Sequence, residues 1–149
     1  MKKQKIGIVT CSCATKELNC CSVVCLKDFN KRLGEFKRYP ASTHLQLVGI
    51  VSCAGCPTLA YPEKILKKID ALAQFGAQTI HFTYCMLALC PFLQKYKKII
   101  QQSYSDIELI EGTHDSLNTK PEFRRKVSLA LSKHKPMADI IKGKFNNSQ

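Results

Sequence analysis

The chain has 149 residues, 45% of them hydrophobic, which allows one domain with its own core. Lys and Arg number 23 against 11 Asp and Glu, a net charge of +12, and nine cysteines are many for the length. No stretch approaches the roughly 20 apolar residues of a membrane span. The opening MKKQKIGIVTC has an apolar run only from Ile6 to Val9 and no small-residue cleavage site, so a cytoplasmic location is expected.

In chain order, KIGIVTC (5–11) is a β-rich apolar run and predicts a first strand. CSVVCLKDFNKRLGEF (21–36) sets Val23, Leu26, Phe29, Leu33 and Phe36 at helical spacing. LQLVGIVSC (45–53) predicts a second strand, and its central VGIV is apolar on both faces, as in a buried parallel strand. Pro62 suits the first turn of a helix whose inner stripe is Ile65, Leu66, Ile69, Leu72, Ala73 and Phe75, with Gly76 as its C-terminal cap. AQTIHFTYC (77–85) predicts a third strand. Pro91 opens a helix with Phe92, Leu93, Tyr96, Ile99 and Ile100 inward, and DIELIEGTH (106–114) predicts a fourth strand.

This βαβαβαβ order specifies an α/β fold, a small doubly wound, Rossmann-like or flavodoxin-like, four-stranded parallel sheet with helices on both faces. Residues 1–118 form the α/β domain. Residues 119–149 form a basic helical C-terminal extension, with two proline-initiated helices in PEFRRKVSLALSKHK and PMADIIKGKF and a frayed NNSQ end.

The thiols fall in a pattern. The predicted strands end at Cys11, Cys53, Cys85 and near His114, and in an open parallel sheet all such ends lie on the ligand-binding edge. Loops after the first three strands add Cys13, Cys20, Cys21, Cys25, Cys56 and Cys90. A lone buried cysteine is usually a small hydrophobe. That explains one or two of these positions and not the set. In a reducing compartment such thiols serve metal or redox chemistry rather than disulfides.

Strand spacing of about 4.8 Å spreads four strand ends over roughly 14 Å. Thiolates on one tetrahedral zinc lie roughly 3.8 Å apart, given Zn–S near 2.3 Å, so loops must curl inward or two metals must bind. A sheet order of 2-1-3-4 puts Cys11 between Cys53 and Cys85 at the switch point. In CAGC (53–56), the C-x-x-C spacing lets two thiolates chelate one ion, with Gly55 allowing the tight turn. Cys56 then supplies the fourth thiolate. Cys13 and Cys21 have no strong claim.

KIGIVTC, LVGIVSCAGCP, GAQTIHFTYC, CPF and IELIEGTH together resemble the CGGC-domain family over about residues 5–114. The resemblance implies a cysteine-rich, zinc-binding domain without a settled activity. It implies metal ligation by Cys11, Cys53, Cys56, Cys85, Cys90 and His114, and less firmly by Cys20 and Cys25. One departure is Ala54, which stands where the family has a second glycine and discourages positive φ in the loop.

Read by itself, His81 is a core histidine, or one supporting the site, in preference to a metal ligand, on the same strand face as Cys85. His114 reads equally as a ligand, an acid/base group or a turn histidine. His44 and His134 read as surface residues, and Asp115 could orient His114. The leading function is a metal-binding domain, zinc first because mixed Cys/His donors suit it, and an iron–sulfur cluster second. The alternative is thiol–disulfide chemistry at Cys53 and Cys56, although Pro57 to Ala60 separate that pair from the next helix. The basic charge is spread along the chain without a nucleic-acid-binding motif, so a nucleic-acid partner is not expected. No paired carboxylate or serine triad names a reaction, and neither oligomeric state nor nuclearity is encoded in these patterns.

Overall fold

In the computed structural model, residues 2–56, 61–133 and 136–144 are described. The expected surface position of His134, the frayed NNSQ end and the spacer 57–60 lie outside them. The strands are β1 (Lys3–Thr10), β2 (His44–Ser52), β3 (Thr79–Phe82) and β4 (Glu108–Glu111). All pair in parallel in the order β2-β1-β3-β4, which is the doubly wound topology. The helices are α1 (Val23–Lys31), α2 (Tyr61–Gln74), α3 (Tyr84–Leu89), α4 (Leu93–Ser103), α5 (Lys120–Ser132) and α6 (Met137–Ile141).

Strand alternation sorts the core into two layers. Ile6 and Ile8 of β1 face Phe29 of α1 and Phe36, while Val9 faces the opposite layer. That larger layer takes Ile80 and Phe82 of β3, Ile65, Ile69 and Leu72 of α2, and Tyr96 and Ile100 of α4. Phe123, Val127 and Ala130 of α5 and Met137 and Ile140 of α6 enter the same cluster. The C-terminal helices are thus built into the main core. A capping box of Thr119 and Glu122 starts α5.

Four expectations from sequence pattern are corrected. The helix expected over 21–36 stops at Lys31, where Arg32 takes a left-handed φ of 54°, and a 3₁₀ turn follows over Gly34–Arg38. Its buried face carries Cys25, Asp28 and Phe29, leaving Val23 and Leu33 exposed. Phe75 at the end of α2 is likewise exposed. β2 is the sheet edge, so it is only partly buried along its length rather than enclosed on both faces. β3 ends at Phe82, and Cys85 sits on the short helix α3, which has no polar face to reveal it in sequence. Alternation therefore does not put His81 and Cys85 on a common face.

Candidate metal centre

The carboxyl ends of β1, β2 and β3 bring three thiols together. Cys11 follows β1 directly and is buried, as is Cys53 directly after β2. The Cys53 backbone N–H donates to the Thr10 carbonyl at 2.8 Å, holding the two strand exits side by side. Cys85 arrives from the first turn of α3, its Sγ 2.8 Å from Thr83 Oγ1. The Cys11 thiol lies beside the thiols of both Cys53 and Cys85, close enough for each to act on its proton. Cys11 is therefore the middle of a run Cys53–Cys11–Cys85, in the order that the strands impose.

The thiols shift one another's pKa values. The Cys85 thiol is held below its usual pKa, first because Cys11 donates to it and then because Thr83 donates as well, against the opposing effect of burial. Cys53 acts on Cys11 as a donor, but donation from Cys11 to Cys85 together with burial outweighs it and pushes Cys11 up to about 12. Cys53 is raised by the neighbouring Cys11 thiol and then by burial, although the Ser12 backbone N–H, 3.3 Å from its Sγ, works the other way; its own S–H faces Ser12 Oγ at 3.4 Å. Without metal, Cys85 is the sulfur closest to a thiolate.

Two further groups surround this run. Cys56 is exposed and lies near Cys13; the partial burial of its thiol and then that neighbour raise its pKa. Cys90 lies close enough to feel Cys53, Cys56 and Cys13, and burial first among these effects raises it to about 11. On the other side, a cavity of about 20 Å³ is lined by Cys20, Cys25, Cys85 and His114, and roofed by Phe123 and Met137. Cys25 Sγ lies 3.3 Å from Thr113 Oγ1, and burial raises its thiol to about 11. Burial also raises Cys20. His114 is partly exposed, its Nδ1 2.9 Å from the Asp115 carbonyl. The side chain of Asp115 instead meets Lys37 at 3.3 Å, so it does not orient the imidazole.

Cys11, Cys53 and Cys85 thus lie side by side at the strand exits, and Cys20, Cys25 and His114 share the cavity with Cys85. Cys56 and Cys90 form a flanking group with Cys13. Cys21 is exposed, and all nine cysteines are free thiols. Among the described residues no group of three or more Cys, His, Asp or Glu side chains already has a metal-holding arrangement. Cys13, Thr83 and Ser12 are contacts that sequence patterning missed; the one signal was the C-S-C spacing that places Cys13 two residues past Cys11.

Loop geometry at the C-x-x-C accommodates Ala54. Positive φ falls on Gly55, at +90°, while Ala54 keeps an ordinary negative value. His81 supports the edge from beneath. It is fully buried, with Nδ1 2.8 Å from the Gly112 carbonyl and Nε2 2.7 Å from Tyr39 Oη. A carbonyl only accepts, so Nδ1 carries the proton and neutral Nε2 accepts from the tyrosine. Burial holds the imidazole down at about 4. His81 is a structural post for the turn that presents Thr113 and His114.

A family model described as the CGGC domain matches residues 5–114, which contain every thiol discussed and His114. No curated protein matches the chain, and no solved structure does. Among the described residues no helix is long and apolar enough to cross a membrane.

Proposed function

The chain belongs to the CGGC-domain family, and on that footing we propose that it binds zinc at the carboxyl edge of its sheet through Cys11, Cys53, Cys85 and Cys56. The observation that carries this reading is the position of one buried thiol, Cys11, between Cys53 at the neighbouring strand exit and Cys85 at the start of α3, on a parallel-sheet edge. Neighbouring strand exits about 4.8 Å apart are near the roughly 3.8 Å separation of thiolates around tetrahedral zinc. Loading replaces S–H···S contacts by metal–thiolate bonds and releases the protons that burial now retains. Cys56 adjoins Cys53 and needs only to turn from Cys13 about Gly55 to complete four thiolates. Cys20, Cys25 and His114, gathered with Cys85 around the small cavity, are a second donor set, where an additional ion would bind.

A thiolate site of this kind suits a reducing, cytoplasmic setting. Bound zinc would supply Lewis-acid polarisation of a ligand, or a purely structural tie. An iron–sulfur cluster is the second metal reading, because there are more thiols than one zinc requires. Thiol–disulfide exchange by Cys53 and Cys56 is disfavoured. An attacking thiol needs a lowered pKa, and both are raised.

The test is elemental analysis of protein purified under reducing conditions. About one zinc per chain is expected, and Cys11→Ser, Cys53→Ser and Cys85→Ser should each strip most of it while Cys21→Ser retains it. Stoichiometric metal in all three strand-edge variants would overturn the assignment. A visible absorbance with matching iron and sulfide would favour the cluster.

A further inference from the structure

Beside the thiol cavity lies a larger pocket of about 380 Å³, within the size range of small-molecule sites. The two share His114, Phe123 and Ile141. Val24, Leu33 and Ile140 supply apolar wall, and Asp28 of α1 lines it from within. Asp28 is 5% exposed. Its Oδ1 is fully buried and has no hydrogen-bond partner among the described residues. Its ion-pair partner among the described residues is Lys27, whose Nζ lies 3.5 Å away without hydrogen-bond geometry and which is about half exposed.

Burying a carboxylate is expensive unless it is both paired and hydrogen-bonded, and buried polar groups left unsatisfied are rare enough to require a reason. A structural role is a poor reason here. Asp28 occupies the inward face of α1 beside Cys25 and Phe29, where an apolar side chain would serve packing better. The missing partner is a donor, because a carboxylate only accepts. Anions have less to offer. Lys27 and Lys37 at the rim are already opposite Asp28 and Asp115 and are largely solvated.

We propose that this pocket binds a small organic molecule carrying a primary amine or amidine on an apolar body, with Asp28 taking the N–H group and Leu33, Phe123 and Ile140 taking the body. The ligand would lie against His114, next to the thiol cavity. This goes beyond zinc binding and stands on Asp28 and the pocket alone, so the metal-loaded and the chelated protein should both bind.

The test uses benzylamine and benzamidine as probes, with benzoate and benzyl alcohol as controls of like size, read by titration of backbone amide NMR signals. Benzylamine and benzamidine should move the signals of Leu33 and of residues 115–118, and the controls should bind roughly tenfold or more weakly. Asp28→Asn should weaken amine binding roughly tenfold or more while keeping a dispersed spectrum. Leu33→Lys, at a partly exposed wall position, sets an ammonium in the pocket without touching Asp28 and should weaken it similarly. Benzoate binding as tightly as benzylamine, amine binding that survives both substitutions, or an absence of amine binding at millimolar concentration would each overturn the proposal.

Discussion

Acidification should loosen the fold through His81 before it reaches the carboxylates. Burial lowers the folded-state pKa of His81 from 6.5 to about 4. Between those values the unfolded chain binds a proton that the folded chain refuses. Stability from this group is therefore complete above about pH 6.5 and is lost as pH falls toward 4. At 1.36 kcal/mol per pKa unit, the full effect is about 3 kcal/mol, of which about 2.5 kcal/mol is gone by pH 4.5. His81 is wholly inaccessible, so solvent screening does not discount this much. Glu111 and Glu122 have lowered pKa values, and their contributions are lost only below the ordinary carboxylate range. Urea unfolding of chelated protein, followed by far-UV circular dichroism from pH 7.5 to 4.5, isolates the window. Chelation removes the separate pH dependence of metal binding. His81→Gln, which does not titrate, should be less stable at pH 7.5 and much flatter in slope. A flat wild-type profile, or an undiminished slope in His81→Gln, would refute the reasoning.

Gly34 has φ +54°, and a Cβ there would lie 2.2 Å from the Thr113 carbonyl oxygen. Gly34→Ala should cost upward of about 1 kcal/mol and disturb the NMR signals of Thr113 and His114. Thr119→Ala removes the side-chain half of the α5 capping box, in which the Glu122 backbone N–H donates to Thr119 Oγ1, and should cost about 1 kcal/mol in thermal unfolding. Zinc affinity, measured by competition with a chromophoric chelator, should rise with pH across the neutral range, because Cys11 and Cys53 must give up retained protons; an affinity independent of pH would contradict thiolate ligation. Alkylation by a thiol reagent should consume Cys21 readily in the loaded protein and reach Cys11, Cys53 and Cys85 only after chelation.

The parallel order was legible because apolar runs with β-branched residues alternate with amphipathic stretches, and handedness then leaves few topologies. From that order follows the position of Cys11 between Cys53 and Cys85. Cys85 on a helix was not legible. YCMLAL is apolar throughout, and periodicity does not separate such a run from a strand. The break at Arg32 was hidden for a different reason. The inward face of α1 is made by Cys25 and Asp28 rather than by Val23 and Leu33, so the hydrophobic stripe followed apolarity where the fold follows the edge chemistry. Cys13 beside Cys56, and Asp28 beside the pocket, depend on loop paths that no local pattern encodes.

The most direct test of the account is a crystal of reductively purified protein with diffraction data collected on both sides of the zinc absorption edge. The account predicts an anomalous peak bounded by the sulfurs of Cys11, Cys53 and Cys85 that vanishes below the edge. A zinc peak held without any of these three sulfurs, or none in protein shown to contain zinc, would contradict it.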